Sequence, residues 1–394
     1  MGKKNILRSG FFNADRVTLL TVTAVFAVMA VLVYTGNVGR QIQNMLTSVA
    51  CYIVLAVSLN LVVGLLGELS LGHAGFMSVG LFTGCTVAVL LQGKLPAAVC
   101  LPLCMVIGGL AAALVGLVVG LPALRLGGDY LAIVTLGCGE IIKNVLTNLN
   151  IKGTPLQGAL GIDTSSIRRN SKDLLPYAIL LVLLTMLVIM NFKRSKHGRA
   201  IMAIRDNRIA AEATGVNVVY YKLMVFMLAA FFAGAAGVLY GYSLPVVQAD
   251  TFGYNMSIEI LVIVVLGGMG NIGGSILAAI VLRALPEALR DFSDYRMLAY
   301  SVLLIAIMLL NENKRFKAWK SRFSLSGWFR GLRRGNAGGT GADASCIVSE
   351  ARRTATAPTA PGWFRTPPVR SSRSAISARR RCWRHCTSAS TSAV

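Results

Sequence analysis

Long apolar runs separated by short polar joints dominate the first 310 residues of the chain. Runs at 17–34, 45–66, 71–91, 97–121, 130–149, 174–192 and 223–244 come close to the ~17–25 residues needed to cross a hydrocarbon core. Those at 258–269, 275–289 and 297–310 are shorter, which points to a discontinuous or re-entrant segment. This pattern predicts an all-α polytopic membrane bundle of about ten spanning or re-entrant segments. The joints carry the orientation signal. Arg125, the 193–222 loop and the Lys and Arg residues of 314–322 fall on one side of the membrane, as an even number of spans with both termini cytoplasmic requires. Arg168, Arg169 and Lys172 oppose this arrangement, but their loop also holds Asp163 and Asp173.

The 193–222 loop is the most polar internal stretch. It begins Lys193-Arg194-Ser195-Lys196-His197-Gly198-Arg199 and continues through Arg205-Asp206-Asn207-Arg208. The Ala-rich piece Ile209-Ala210-Ala211-Glu212-Ala213-Thr214-Gly215 follows, reading as one short helix stopped by glycine. A short helix held at the inner face of a membrane is placed to receive force from a soluble partner.

Composition agrees with a membrane protein. Hydrophobic residues make up 55% of the 394 positions and charged residues 14%, whereas soluble domains carry about 25% charged residues. Three regions follow: a cytoplasmic segment at 1–16, a transmembrane domain at 17–312 and a basic tail at 313–394. A cleaved signal peptide is the plainer reading of the first run, but no small-residue cleavage site is evident and further spans follow. The net charge of +23 is uneven, with 17 Lys/Arg against two acids beyond residue 313. The tail is rich in Ala, Gly, Ser, Thr, Pro and Arg and predicts disorder, or else an altered reading frame. No nucleic-acid-binding module accompanies its charge. Cys382, His385 and Cys386 are incomplete as a structural zinc site. The cysteines within apolar runs read as small packed hydrophobes.

Several motifs invite chemistry. Gly268-Met269-Gly270-Asn271-Ile272-Gly273 has the spacing of a dinucleotide-binding turn, but that turn needs a preceding strand in a soluble βαβ unit. Flanked by apolar runs, it reads better as a break that permits close packing or a turn at membrane depth. No phosphate-binding G-x-x-x-x-G-K-[ST] sequence occurs, so any ATP that drives transport must bind elsewhere. Ionisable residues within or beside apolar runs include Glu68, His73, Asp129, Glu140, Lys143 and Glu259, and such groups usually face a bundle interior or a wet path. Glu140 and Lys143 are spaced to pair on one helix. Glu68, Asp129 and Glu259 fit interfacial positions. Leu66-Gly67-Glu68-Leu69-Ser70-Leu71-Gly72-His73-Ala74-Gly75 is either a tight turn or a helix break lining a path.

Taken together, 66–75, the stretch from Gly128 to Ile142, the stretch from Gly198 to Asn217 and the stretch from Ser257 to Gly274 resemble the longer permease type of branched-chain amino acid ABC importers. The resemblance implies a multi-pass subunit of the bacterial cytoplasmic (inner) membrane that forms half of a pathway for Leu, Ile and Val. It also implies a second permease, two ATP-binding cassette subunits and a periplasmic binding protein as partners. The chain itself would bind no cofactor or metal, with ATP and Mg on the partners, and would perform no covalent catalysis. In the importer pattern E-A-A-x-x-x-G the chain supplies Ala210, Ala211 and Gly215, while Ile209 stands at the glutamate position and Glu212 is displaced by three. The resemblance thus assigns coupling to Arg205, Asp206, Asn207, Ala210, Ala211, Glu212 and Gly215. Glu68, His73, Glu140, Gly268 and Gly270 are the candidates for the pathway. The near alternative is a urea or short-amide ABC permease; a stand-alone secondary transporter is a different class, disfavoured by the lack of an evident carboxylate relay.

Overall fold

The computed structural model describes residues 39–288 apart from gaps at 93, 95, 127 and 150–157, together with isolated positions on either side. The segments expected at 1–16, 297–310 and 313–394 lie outside the described residues except for three positions near 301–305, and the run at 17–34 is described only in part.

Within these bounds the chain is helical. Helix α1, Arg40–Asn60, passes directly into a π-helical segment, Leu61–Leu66, and Gly67 at φ 80° ends it. Then come α2 (His73–Leu90), α3 (Ala97–Ala123), α4 (Asp129–Asn148) and α5 (Ser171–Arg194). Two short helices follow, α6 (Lys196–Asp206) and α7 (Arg208–Ala213). The remainder is α8 (Val218–Ser243), α9 (Tyr254–Gly267) and α10 (Ile272–Ala288). Six of these, counting α1 with its π extension, are long and apolar enough to span a membrane, and α9 and α10 are shorter apolar helices. The short helix expected at Ile209–Gly215 appears as α7, and a second short helix, α6, precedes it. Asn207 separates the two: its backbone is extended at φ −156°, and its side chain accepts from the Ala210 N–H to cap α7.

The helices alternate in direction. Gly120 of α3 lies against Leu223 of α8, and Arg205 reaches Gly64, so these termini share one end with α6 and α7. At the opposite end a two-residue antiparallel ladder, β1 (Ile162–Asp163) with β2 (Val246–Val247), ties the loop after α4 to the loop after α8. Gln92 donates to the Ser166 carbonyl there at 3.0 Å. A cavity of about 420 Å³ opens at this end, with Arg168, Arg169 and Asp173 in its lining.

Burial sorts the helices. The apolar window of α1 is enclosed on all sides by protein. By contrast α3 exposes Val99, Leu103, Val106, Leu110, Leu114, Val118 and Leu121 along one face while burying Leu101, Cys104 and Ala112 on the other. A helix apolar on its exposed face as well as its packed face is suited to lipid rather than water. The tightest packing joins α2, α3 and α8. A Cβ added at Gly80 would strike the Gly234 backbone, and one added at Gly234 would strike Ala112 and the Gly108 carbonyl. Small residues at such crossings let backbones approach closely where no hydrophobic effect drives helices together.

Candidate functional site

The polar groups at the α6–α7 end converge on the place where α1 stops. A helix end leaves its last carbonyls without intrahelical donors. Arg205, from the last turn of α6, donates Nη1–H to the Gly64 carbonyl at 2.5 Å. A guanidinium at this terminus also complements the negative end of the helix dipole. The α9–α10 turn fits against the same spot. Gly268 and Gly270 take φ values of 91° and 82°, which glycine alone tolerates freely, and their turn brings Gly270 onto Gly64. Asn60 holds it there: Oδ1 accepts from the Gly270 N–H at 2.7 Å, and Nδ2 donates to Ser275 Oγ at 2.9 Å. Lys193, at the end of α5, donates to the Gly270 carbonyl at 3.5 Å. The helix–turn–helix around Gly268–Asn271 contains no strand, so the glycine spacing serves backbone approach rather than a nucleotide.

Beyond Gly67 the chain re-enters the protein. Glu68 forms an ion pair and hydrogen bond with Lys222 at the start of α8, whose side chain is 3% exposed. Glu68 Oε2 and Ser70 Oγ are buried with no hydrogen-bond partner among the described residues. Glu68, for which an interfacial position was expected, is thus paired across the break. His73 opens α2 fully buried, with Nε2 2.8 Å from Ser58 Oγ on α1. Ser58 Oγ also lies 2.9 Å from the Leu55 carbonyl, so the hydroxyl is shared between the imidazole and its own helix. The Ala74 N–H reaches Ser257 Oγ of α9 at 3.4 Å.

Glu140 pairs with Lys143 at 2.8 Å, as their spacing on one helix predicts. It does a second thing that spacing could not reveal. Its Oε1 accepts from the Tyr254 N–H at 2.7 Å and so caps the N-terminus of α9, where a carboxylate is favoured by the helix dipole. Glu259, expected at an interface, has a partner supplied by α10. Arg283 Nη1 lies 3.3 Å from Glu259 Oε1 and its guanidinium carbon 4.0 Å over the Tyr52 ring.

The α6–α7 unit is anchored through α6, where Ile201 is fully buried in the main core and Met202 packs against it. Ile204, Ala211 and Val218 form a small buried cluster, while Ile209 is 79% exposed. Glu212 is taken up by Arg208 at 2.9 Å. Gly215, at φ 83°, terminates α7, and the Val216 N–H returns to the Ala211 carbonyl. Asp206 is exposed next to Asn207 at the corner. Thus Arg205 joins the π-helix, and Ala211 packs inward. Asp206, Asn207, Ala210, Glu212 and Gly215 lie on the open face. Among the described residues no group of three or more His, Cys, Asp or Glu could hold a metal ion.

Asn60, Lys222, Ser275, Tyr52 and Arg283 were not singled out from sequence. Asn60 and Arg283 interrupt apolar runs, a signal that was present. Lys222 was hidden by its place at the edge of a basic loop.

A bundle of membrane-length apolar helices, with a short exposed helical unit tied into a broken span, defines a multi-pass membrane protein. The family described as "Branched-chain amino acid transport system / permease component" matches residues 41–311, and the chain belongs to it. The chain is 37% identical over 300 residues to the high-affinity branched-chain amino acid transport system permease protein LivM of Salmonella typhimurium, covering 69% of each chain. Its identity to LivM of Escherichia coli is 37% over 302 residues, with the same coverage. The ribose import permease protein RbsC of Haemophilus influenzae is 25% identical over 285 residues, 69% of this chain and 84% of that one. No solved structure matches. The chain is therefore a permease component of the branched-chain amino acid transport family, a family of transport subunits rather than enzymes.

Proposed function

We propose that this chain forms half of the translocation pathway of an ATP-driven, binding-protein-dependent importer of leucine, isoleucine and valine. Its partners are a second permease, two ATP-binding cassette subunits that carry ATP and Mg, and a periplasmic binding protein. It resides in the bacterial inner membrane with both termini in the cytoplasm, which places α6 and α7 at the cytoplasmic face. The observation that carries the reading is the Arg205–Gly64 hydrogen bond. Through it a force applied to α7 is transmitted along α6 to the π-helical end of α1 and to the α9–α10 turn stacked upon it.

Asp206, Asn207, Ala210, Glu212 and Gly215, with exposed Ile209 among them, form the surface offered to an ATPase subunit. Ala211 and Arg205 connect that surface to the body. Ile209, standing where the general pattern has glutamate, offers an apolar contact in place of a charge. Glu68, His73, Glu140, Gly268 and Gly270 line or border the path where helices break. The unpartnered Glu68 and Ser70 oxygens support that role, since unsatisfied polar groups are costly unless water or a moving solute meets them. LivM supports the amino acid substrate, whereas the ribose permease shows that related chains serve other solutes.

The test is uptake of labelled leucine, urea and ribose into proteoliposomes holding the chain with its partner subunits, with and without internal ATP and external binding protein. Leucine entry that requires both is the expected result. Entry without ATP through this chain alone would make it a secondary transporter or channel and overturn the proposal.

A further inference from the structure

Glu259 and Arg283 are two opposite charges on apolar helices away from the α6–α7 end. Arg283 lies eleven positions into α10, about 16 Å along the axis at 1.5 Å per residue, far from the turn that begins it. Both side chains reach the surface, 28% and 25% exposed respectively, while Tyr52 beneath them is 3% exposed. On the same face of α10 as Arg283, three positions earlier, Ile280 presents an exposed apolar side chain.

An open guanidinium at this depth is costly against hydrocarbon, so the groove between α9 and α10 that holds the pair faces water or protein. Nor is the pair saturated. Arg283 makes one ion-pair hydrogen bond, long at 3.3 Å, and rests its face on Tyr52. Most of its fork of five N–H donors is left unused among the described residues, and that fork matches a carboxylate two bonds at a time. Among the described residues Glu259 Oε2 receives only the Tyr52 hydroxyl, at 3.4 Å, which leaves acceptor capacity for an ammonium group.

We infer that Glu259 and Arg283 form a transient binding site for the zwitterionic headgroup of an α-amino acid on its way through the membrane. The inference rests on the importer reading above and names the atoms that meet its substrate. Such a headgroup carries its ammonium and carboxylate on one carbon, and so can exchange with the protein pair charge for charge. Arg283 takes the carboxylate, Glu259 takes the ammonium, and the substrate side chain lies against Ile280. When the solute leaves, the two side chains close on each other and no bare charge remains at membrane depth. The site therefore releases its occupant readily, as a conduction step requires. An uncharged solute such as urea or ribose gains nothing from it.

The experiment is chemical rescue in the reconstituted complex. Arg283→Cys is expected to lower leucine uptake at least tenfold without reducing the amount of assembled complex. Aminoethyl methanethiosulfonate, which leaves an ammonium on the thiol, should restore uptake to within threefold of native. Methyl methanethiosulfonate, which leaves a neutral group, should not. The native chain treated in parallel gives the background from its own cysteines. Arg283→Lys should retain more uptake than Arg283→Gln. Full uptake in Arg283→Cys and Arg283→Gln would overturn the inference. So would a loss of uptake with a thiol that neither reagent reaches, the mark of a structural pair closed by protein. If the native complex imports no leucine with ATP and binding protein, the importer reading fails instead. Labelling of Arg283→Cys by the charged reagent would still report whether the pair faces water.

Discussion

The three helices α2, α3 and α8 and the seam where α1, α6, α9 and α10 meet are both built around glycine, yet they hold together differently. In the first, Gly80 and Gly234 bring backbones into direct contact, and dispersion between close-packed surfaces does the holding. In the seam Gly64 and Gly270 also touch, but directional bonds fasten the contact: Asn60 to Gly270 and Ser275, Arg205 to Gly64, Lys193 to Gly270. A packed glycine crossing resists separation along its whole length. A seam held by a few hydrogen bonds can part and re-form as discrete states. The first suits a scaffold and the second suits a moving joint.

Changes at the two regions should therefore have different signatures. The largest effect is expected at Lys222, beside the seam. Lys222→Ala leaves the buried Glu68 carboxylate unpaired, at a cost of about 3–5 kcal/mol. It should appear as loss of folded chain in a detergent thermal-stability assay, and Glu68→Gln together with Lys222→Met should recover most of that loss. Next comes Gly234→Leu, which overpacks the scaffold crossing and should cost about 3 kcal/mol. Its signature is a lower unfolding temperature whether or not the ATPase subunits are bound. Asn60→Leu strands the Gly270 N–H and removes the donor to Ser275 Oγ, whose hydroxyl keeps the Asn271 carbonyl, for about 2 kcal/mol. Unlike Gly234→Leu, it should depress uptake more than its effect on unfolding would account for. The smallest effect is expected at Gly215→Ala, where a left-handed residue acquires a Cβ at about 1 kcal/mol. Co-purification of ATPase subunits should weaken while the chain stays inserted.

Sequence made the scaffold legible and the seam only half so. The apolar runs at 45–66, 71–91, 97–121, 130–149, 174–192 and 223–244 correspond closely to α1 with its π extension, α2, α3, α4, α5 and α8, because lipid imposes length and apolarity directly on the chain. The glycine breaks at Gly67 and Gly268–Gly270 were visible for a similar reason, since left-handed backbone selects glycine. Pairing across the bundle was not visible. Nothing local says that Glu68 meets Lys222, 154 positions away, or that Glu140 caps α9 rather than pairing with Lys143 alone. The same holds for Arg205: its cluster marked a membrane face, but the Gly64 carbonyl it reaches is set by tertiary structure. Glu68, His73, Glu140, Lys143 and Glu259 each meet a polar partner, whereas Asp129 is exposed at the start of α4; the identity of the partners is a property of the fold.

The most direct test of the moving joint is Arg205→Ala, with ATP hydrolysis and leucine uptake measured in the same proteoliposomes. Hydrolysis stimulated by binding protein should persist within about threefold, while uptake falls at least tenfold. Arg205→Lys, which keeps a donor near Gly64, should lie between. Uptake and hydrolysis both unchanged in Arg205→Ala would contradict the account, because the hydrogen bond that ties α6 to the end of α1 would then carry no force.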